Sequence, residues 1–406
     1  MKYLVLIGDG MADHPLEELG GKTPLEAAST PAMDELARRG IIGLYCPIPD
    51  GLPPGSDIGN LSLFGYNPRE VFTGRAPIEA ASQGIKLGPG DMAFRCNLVT
   101  LADGVMADFT AGHISSEEAA ELIAALDDTL GVRFRIRFST GVSYRHLAVF
   151  PGSDHDALAL ARAVCEPPHN ITGQPYASSL PSGPGSELLR EIMSASEAVL
   201  TGHPVNRARM AADRLPATSV WLWGQGMAPE IASFRDTHGL SGAVISAVDL
   251  VRGIGVCAGM EIIRVPGATG WLDTNYEGKV AAALDALNRH DAVYIHVEAP
   301  DETAHQGRTD LKIQAITDFD ARVVGLCLEH ASRRKNLRLL VAPDHFTLIS
   351  TKTHAGGPVP FGIAGPGIAA SGAAGYSEGI AVSSNILIPE GYTLVRRFYG
   401  DAEIRF

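Results

Sequence analysis

The chain has 406 residues, of which 45% are hydrophobic and 19% are charged, and its net charge is −13. This composition is typical of a globular protein with a large buried core and excludes a mainly disordered chain. The length favours a core with one inserted domain over a single plain domain. The acidic balance argues against general nucleic-acid binding, which requires a basic face.

The cysteines and the apolar runs indicate the cellular compartment. Five cysteines are widely spaced with no C-x-x-C pair, which predicts reduced thiols, no thiolate metal site and a cytoplasmic protein. The N-terminus leads directly into an apolar strand pattern without the features of a signal peptide. No apolar run reaches the roughly 18 residues that a transmembrane helix needs, so we expect no membrane association.

Both ends of the chain alternate between strand and helix patterns. This order predicts a mainly parallel sheet with helices on both faces, that is, a three-layer α/β core. Thr30 stands at the N-cap position of the first predicted helix. The predicted strands are Tyr3–Ile7, Ile41–Tyr45, Ser219–Trp223, Gly242–Ile245, Ala292–Val297, Leu337–Val341 and Phe361–Ala364, and the predicted helices are Pro31–Arg39, Tyr276–Asn288 and Leu311–Ala331.

The middle of the chain has a different pattern, with α+β character. Its predicted strands are Phe94–Thr100, Gly104–Phe109, Arg133–Ser139 and Ser143–Phe150, and its predicted helices are Ser116–Leu130 and His155–Cys165. The stretch Glu166–Ser186 is rich in Pro, Gly and Ser and predicts a loop or linker. We therefore expect an inserted domain at residues 90–185 within a core formed by residues 1–89 and 186–406.

Carboxylate and imidazole side chains follow several of the predicted core strands. Ligands of open α/β sheets bind beyond the carboxyl ends of strands, and this set of donors suits Mn²⁺, Zn²⁺ and related ions. Two such ions about 3.5–4 Å apart can hold a phosphoryl group from both sides. Each segment alone is also compatible with a surface loop or a helix cap, so the prediction depends on their combination. The candidate ligands are Asp9, Asp301, His305, Asp344, His345 and His354.

Ser56 is the candidate nucleophile. It lies in P-G-S-D-I-G-N, where a turn leads into a helical pattern. A hydroxyl at a helix N-terminus is stabilised as its alkoxide by the helix dipole, and contact with a metal ion lowers its pKa further. The alternative is an ordinary serine N-cap.

The motifs together resemble one known family. I-G-D-G at Asp9, P-G-S-D-I-G-N at Ser56, A-P-D-E-T-A-H at Asp301 and A-P-D-H at Asp344 are similar to the archaeal-type 2,3-bisphosphoglycerate-independent phosphoglycerate mutases of the alkaline phosphatase superfamily. Further similar motifs are T-G-R-A-P-I-E-A, F-R-C-N, A-G-H-I-S, G-V-S-Y-R-H, W-L-W-G-Q-G and L-D-T-N-Y-E-G-K, so the resemblance covers nearly the whole chain.

The resemblance implies an alkaline-phosphatase-like core, an inserted substrate-binding lid and two divalent ions, which can be Mn²⁺, Zn²⁺, Co²⁺ or Mg²⁺. It assigns Asp9, Ser56, Asp344 and His345 to one ion. It assigns Asp301, His305 and His354 to the other. Ser56 would take the phosphoryl group of 3-phosphoglycerate and return it to the 2-hydroxyl of the retained glycerate, in glycolysis or gluconeogenesis, without 2,3-bisphosphoglycerate.

The resemblance also implies the residues that bind the substrate. The expected set is His113, Arg145 and Lys279, with Arg75, Arg95, Asn206, Arg207 and Arg209 as further candidates. The residue that moves the proton on glycerate is not assigned, and a homo-oligomer is left open. Three alternatives stay open: a phosphomonoester hydrolase of the same superfamily, a homoserine kinase-like phosphotransferase, and a non-catalytic metal-binding protein. No Walker A loop or kinase glycine-rich loop is present, so no nucleotide site is predicted.

Overall fold

The structure is a computed structural model that describes residues 1–400. The chain divides into two compact units. The core unit contains Met1–Phe72 and the chain from Ile231 onward, and the inserted unit is Thr73–Glu230. Within the described residues, no helix combines the length and the hydropathy that crossing a membrane requires.

The strands are numbered in chain order. They are β1 Lys2–Gly8, β2 Ile41–Tyr45, β3 Met92–Ala102, β4 Val105–Asp108, β5 Arg137–Val142, β6 Arg145–Phe150, β7 Ser219–Met227, β8 Gly242–Ile245, β9 Glu261–Ile262, β10 Ala292–Val297, β11 Leu337–Ala342, β12 Phe346–Leu348, β13 Thr353–Ala355, β14 Val359–Ala364 and β15 Leu387–Ile388.

The α-helices are numbered in the same way. They are α1 Pro24–Ala27, α2 Pro31–Arg39, α3 Ser56–Leu63, α4 Pro68–Val71, α5 Arg75–Ser82, α6 Ser116–Leu126, α7 Val132–Phe134, α8 Ala157–Ala161, α9 Ser186–Thr201, α10 Pro204–Ala211, α11 Phe234–His238, α12 Asp249–Cys257, α13 Tyr276–Ala286, α14 Ala299–His305, α15 Thr309–Phe319, α16 Gly325–Ser332, α17 Glu378–Ser383 and α18 Thr393–Phe398. Short π-helical segments join α6 to α7 and α15 to α16.

The core unit is built on one eight-stranded sheet with the order β15-β2-β14-β11-β1-β10-β8-β9. Its central strands β11, β1, β10 and β8 are parallel, while β14 is antiparallel to both of its neighbours. Residues 4–7 of β1 are fully buried, as expected for a parallel strand with helices on both faces. The predicted three-layer α/β core is therefore confirmed.

The predicted helix Leu311–Ala331 is observed as α15, a π-helical turn and α16. The turn begins at Asp320, whose carboxylate accepts hydrogen bonds from the backbone N–H groups of Ala32 (3.0 Å) and Met33 (2.7 Å) at the start of α2. Thr30 occupies the N-cap position as predicted, but its side chain makes no capping hydrogen bond. The free N–H groups of α2 are thus satisfied by a side chain from another helix, which local sequence does not reveal.

The inserted unit contains an antiparallel sheet with the order β4-β3-β6-β5, and β7 also pairs with β3. The register of the β3–β7 pair matches Asn97 with Trp221 and Leu98 with Val220. Helices α6 and α9 pack against this sheet, and both contribute to its apolar core. The predicted α+β character of this unit is therefore observed.

The extent of the inserted unit differs from the expected residues 90–185. It begins at Thr73 and ends at Glu230, so it also contains α5, α9, α10 and β7. We expected Ser219–Trp223 in the parallel core sheet, but this strand pairs antiparallel with β3 in the inserted unit. The predicted strand Arg133–Ser139 is also partly wrong, because Val132–Phe134 is helical and β5 begins at Arg137. The function of this unit as a lid stays a prediction.

Candidate active site

The site lies in the core unit, at the carboxyl edge of three adjacent parallel strands. Strand β1 lies between β11 and β10, with Ile7 beside Ala342 and Gly8 beside Val297. The chain leaves these strands at Asp9, at Asp344 and at helix α14, which carries Asp301. The three carboxylates are therefore brought together by strand register, as the sequence predicted.

Asp301, His305 and His354 form one group of potential metal ligands. Because Asp301 and His305 are separated by four residues in α14, both side chains lie on the same face, and their Oδ2 and Nε2 atoms are 3.2 Å apart. His354 lies on β13, with Nε2 3.4 Å from Asp301 Oδ1 and 2.9 Å from His305 Nε2. The predicted three-residue set is thus assembled in the structure.

Asp9, Asp344 and His345 form the adjoining, fully buried part of the site. His345 Nε2 lies 3.4 Å from Asp9 Oδ1 and 3.5 Å from Asp344 Oδ2. The His345 imidazole also forms a potential ligand group with Asp9 and Asp301, so Asp301 belongs to both parts of the site. Asp9 is thus grouped with Asp344 and also with Asp301.

Hydrogen bonds at Nδ1 of His305 and His345 orient the Nε2 atoms of these two rings towards the carboxylates, where a cation could bind. His305 Nδ1 lies 2.9 Å from the carbonyl oxygen of Lys352, and His345 Nδ1 lies 3.2 Å from that of Phe346. Since a carbonyl only accepts, Nδ1 carries a proton in each ring, and Nε2, which faces the carboxylates, is the atom that can bind a cation in place of a proton. Among the described residues, Asp9 Oδ1 has no hydrogen-bond partner although it is buried. These features fit divalent metal ions.

The electrostatics of the cluster reflect its crowded negative charge. Burial, reinforced by the carboxylates of Asp344 and Asp301, raises the pKa of Asp9 well above its ordinary value. Burial also acts to raise the pKa of Asp301, but hydrogen bonds with His305 and His354 outweigh it and lower that pKa. Burial acts to lower the pKa of His305, but the Asp301 carboxylate raises it to about 9. Protons thus partly neutralise the cluster when no cation is bound.

Ser56 is the first residue of α3, and its hydroxyl oxygen lies 3.0 Å from His345 Nε2. The helix approaches the cluster very closely at Gly59, where a Cβ atom would lie 2.2 Å from the carbonyl oxygen of Asp344. The glycine therefore permits the N-terminal end of α3 to face the carboxylates. The structure thus places the predicted nucleophile beside the predicted ligands.

Three further residues complete the site and were not predicted. Asn60, one turn after Ser56, donates to Asp344 Oδ2 (2.7 Å) and to the carbonyl oxygen of Ser56 (2.9 Å). Thr347 Oγ1 donates to Asp301 Oδ1 (2.5 Å). The position of Asn60 one helical turn from Ser56 was a usable signal, whereas nothing near Thr347 in the sequence indicates its partner.

The third missed residue is His296, inside the apolar strand β10. Its Nε2 lies 3.0 Å from Asp9 Oδ2, but the angle does not permit a hydrogen bond. Its Nδ1 lies 3.3 Å from Ser246 Oγ. Burial lowers the pKa of His296 to about 4, so the imidazole is neutral. It forms a third potential ligand group with Asp9 and Asp344. A histidine within an apolar run is usually read as a core residue, which is why the pattern did not single it out.

Lys279 belongs to the core unit and is fully buried. Its ammonium group donates to the carbonyl oxygen of His296 (3.0 Å), which joins it to β10, the strand that precedes Asp301. Burial lowers the pKa of Lys279 to about 8. The structure therefore places this predicted substrate-binding residue beside the site but with its amine bonded to the backbone.

Three of the predicted arginines lie together within the inserted unit. Arg75 and Arg95 both bond to Glu79, at 3.0 and 2.9 Å, and the Arg95 guanidinium stacks on Trp223 at 4.2 Å from the ring centroid. Burial, the dominant effect, lowers the pKa of Arg95 to about 10, and the positive charges of Arg75 and Arg145 also act to lower it. Arg145 is exposed on the adjacent strand β6. Two arginines thus share one carboxylate, and Arg145 is close enough for its charge to act on Arg95.

The remaining predicted residues are divided between surface and interior. His113 is exposed, and Arg207 is exposed with its Nη1 donating to the carbonyl oxygen of Gly202. Asn206 and Arg209 are each 1% exposed, and their polar atoms bond within the inserted unit. We therefore do not retain Asn206 and Arg209 as substrate ligands, because neither side chain can reach a molecule in solution.

Comparisons with known proteins identify the family of this chain. Residues 37–206 match the sequence model of the family described as 2,3-bisphosphoglycerate-independent phosphoglycerate mutase. A mutase of that name from Methanothrix thermoacetophila is 50% identical over 98% of this chain and 99% of its own length. The Methanosarcina acetivorans mutase is 52% identical over 89% of this chain and 90% of its own.

Solved structures show the same similarity. The PH0037 protein from Pyrococcus horikoshii superposes with a TM-score of 0.82, at 30% identity, over 97% of this chain and 95% of its own. The match extends over both the core unit and the inserted unit, because nearly all of the chain is covered. The chain belongs to the family of 2,3-bisphosphoglycerate-independent phosphoglycerate mutases.

Proposed function

We propose that this protein interconverts 3-phosphoglycerate and 2-phosphoglycerate through a phosphoserine formed on Ser56. One observation carries the proposal: the Ser56 hydroxyl lies 3.0 Å from His345, beside carboxylates that follow three adjacent parallel strands. Relatives with about half of their residues identical are named as this mutase. The substrate is accordingly a small phosphorylated carboxylate.

We propose that two divalent ions are held by these side chains. Asp301, His305 and His354 would hold one ion, and Asp9, Ser56, Asp344 and His345 the other, with His296 adjoining the second group. Bound divalent ions would supply positive charge that lowers the pKa of the Ser56 hydroxyl and balances the phosphoryl oxygens. Mn²⁺, Zn²⁺, Co²⁺ and Mg²⁺ are the candidates.

The transfer then takes place in two balanced steps. In the first, Ser56 Oγ loses its proton and forms a bond to phosphorus, and the bond from phosphorus to the 3-oxygen breaks, with the electron pair staying on the 3-oxygen, which takes up a proton. In the second, the 2-hydroxyl of the retained glycerate loses its proton as its oxygen attacks phosphorus, and Ser56 Oγ leaves with its electron pair and regains a proton. A covalent serine intermediate thus replaces one difficult displacement with two easier ones.

We propose that the inserted unit contributes cationic side chains that bind the substrate. The substrate has a carboxylate and a phosphate, and charge-assisted hydrogen bonds with arginine suit both groups. Arg145 is the first candidate, because it is exposed while Arg75 and Arg95 already share Glu79. His113, also exposed, is the second. Transfer to glycerate, and not to water, requires that glycerate stays bound between the two steps.

The experiment that tests the proposal compares Ser56→Ala with Ser62→Ala. Ser62 is a buried serine on the same helix, and its hydroxyl bonds to the carbonyl oxygen of Pro47. Conversion of 3-phosphoglycerate is measured after metal removal and again after Mn²⁺ is added back, and metal content is determined for each variant. We expect Ser56→Ala to lose turnover and Ser62→Ala to keep it. Conversion by Ser56→Ala above about a tenth of the wild-type rate would exclude the phosphoserine, since loss of a nucleophile costs far more than tenfold.

Release of inorganic phosphate, measured beside the conversion, separates the mutase from a hydrolase of the same superfamily. Phosphate formation that exceeds 2-phosphoglycerate formation in the wild type would favour the hydrolase.

All five cysteines are unpaired. The cytoplasmic location and the oligomeric state stay predictions.

A further inference from the structure

We propose that Arg209 is a positioning residue, which holds a left-handed turn that presents His113. The inference rests on the proposed function, in which the exposed imidazole of His113 binds the substrate. Arg209 itself is buried and cannot touch a substrate. Its effect on the reaction would therefore act entirely through the turn.

The turn has an unusual backbone. Ala111, Gly112 and His113 follow one another with φ angles of 50°, 63° and 49°, so all three are left-handed. Alanine and histidine rarely adopt this conformation, because Cβ approaches the carbonyl oxygen, and consecutive left-handed residues are rarer still. Such backbone strain persists only where surrounding contacts enforce it, and it concentrates at functional sites.

Arg209 supplies one set of enforcing contacts. Its Nη2 donates to the carbonyl oxygens of Ala111 (2.6 Å) and Gly112 (3.3 Å). Its other nitrogens fix the guanidinium in place, with Nη1 2.5 Å from Glu118 and Nε 2.9 Å from the carbonyl oxygen of Leu215. The planar, multiply bonded guanidinium therefore determines where the two carbonyl groups of the turn point.

The residues on either side of the turn supply the second set. Asp108 accepts hydrogen bonds from both the N–H and the hydroxyl of Thr110, at 2.6 Å each. The Thr110 hydroxyl oxygen accepts from the N–H of His113 (2.9 Å), and the Thr110 carbonyl accepts from Ile114 (3.2 Å). These local bonds close the turn, whereas Arg209 ties it to α10, an element about a hundred residues later.

A double-mutant cycle between Arg209→Met and His113→Ala tests the inference. If Arg209 acts by placing His113, each single variant lowers kcat/KM, by roughly 10- to 100-fold, and the double variant is hardly worse than His113→Ala alone. A purely structural Arg209 would give additive losses, which would overturn the proposal. Should Arg209→Met fail to fold, Gly112→Ala takes its place. The backbone of Gly112 has a φ of +63°, and an added Cβ would lie 3.0 Å from Leu215 Cβ and 3.4 Å from Arg209 Nη2.

Arg214→Met is the matched control. Arg214 bonds to the same Glu118 (2.7 Å) but is 49% exposed, and its side chain has no hydrogen bond to residues 111–113 in the described part of the chain. We expect its kcat/KM to stay within about twofold of wild type, as for most surface substitutions. A loss as large as that of Arg209→Met would assign the effect to Glu118 and contradict the proposal.

Amide hydrogen exchange separates failure of this inference from failure of the proposed function. In Arg209→Met we expect faster exchange at His113 and Ile114, while the amides of the β3–β6 ladder stay as protected as in the wild type. This result does not depend on mutase activity. If the wild type proves inactive as a mutase, unchanged exchange at both amides would still overturn the positioning by Arg209, and faster exchange would support it.

Discussion

Replacing Thr347 with valine is expected to weaken metal binding without disturbing the fold. Thr347 is fully buried on β12, and its hydroxyl donates to Asp301 Oδ1 at 2.5 Å. The same oxygen lies 3.1 Å from His345 Nδ1, so one hydroxyl group touches two of the proposed ligands. Valine has nearly the same shape but cannot donate, so the change removes the hydrogen bond and leaves the volume filled.

The size of the effect follows from the charge of the acceptor. A hydrogen bond to an ionised carboxylate contributes about 1.5–3 kcal/mol, and 1.4 kcal/mol corresponds to a tenfold change in affinity. Loss of a hydrogen-bond partner of a metal ligand typically weakens metal binding by about 10- to 100-fold. We therefore expect the dissociation constant for Mn²⁺ to rise by about 10- to 100-fold in Thr347→Val.

The assay is a titration of the metal-free protein with Mn²⁺ in the presence of a competing chelator. Thr303→Val is the matched control, because Thr303 is fully buried on the same helix as Asp301 but bonds only to the carbonyl oxygens of Ala299 and Pro300. Thermal unfolding of both metal-free variants checks that the fold is kept. An affinity of Thr347→Val equal to that of Thr303→Val would refute the reasoning.

Three further outcomes follow from the same structure. The pKa of His305 is about 9 without a cation, so this imidazole is protonated near neutral pH. Because Mn²⁺ should displace the proton, metal affinity should rise with pH until about pH 9. Calorimetric titration in two buffers of different ionisation enthalpy measures that proton, and identical heats would contradict it. Gly59→Ala places a Cβ 2.2 Å from the carbonyl oxygen of Asp344, so it should lower both the melting temperature and the metal content. An unchanged value of either would count against the close packing of α3. Arg145→Ala should lower mutase turnover and raise the ratio of inorganic phosphate to 2-phosphoglycerate; an unchanged ratio with unchanged turnover would show that Arg145 does not hold the substrate.

The convergence of the candidate metal ligands Asp9, Asp301 and Asp344 was predictable because each one follows a recognisable buried strand within a few residues. His305 shares a helix face with Asp301. Buried parallel strands appear in the sequence as continuous apolar runs, and β1, β10 and β11 all have this pattern. Their adjacency then determines that Asp9, Asp301 and Asp344 converge. For these residues, local pattern and one general rule of α/β sheets were sufficient.

The partners of those ligands were not predictable in the same way. Thr347 and His296 are identified only by what they touch, and those contacts depend on how β12 and β10 are placed in three dimensions. The same applies to Asp320, which caps a helix from which it is separated by almost 290 residues. A hydrogen-bond partner distant in sequence leaves no periodic signal.

The extent of the inserted unit was missed for a related reason. The apolar pattern of β7 shows a strand but not the sheet to which it belongs, and its pairing with β3 joins segments more than a hundred residues apart. Arg209 was a further candidate for binding the substrate because the family resemblance implied it. Burial against Glu118 and the 111–113 turn changes that assignment, and burial of a charged residue is visible only in the folded structure.

Conversion of 3-phosphoglycerate in oxygen-18-labelled water, followed by phosphorus NMR, tests the phosphoserine transfer most directly. If the phosphoryl group passes from the substrate to Ser56 and back to the retained glycerate, the phosphoryl oxygens of 2-phosphoglycerate carry no label from water. Inorganic phosphate should form only in trace amounts. Labelled inorganic phosphate as the main product, with little 2-phosphoglycerate, would show that water accepts the phosphoryl group and would contradict a mutase.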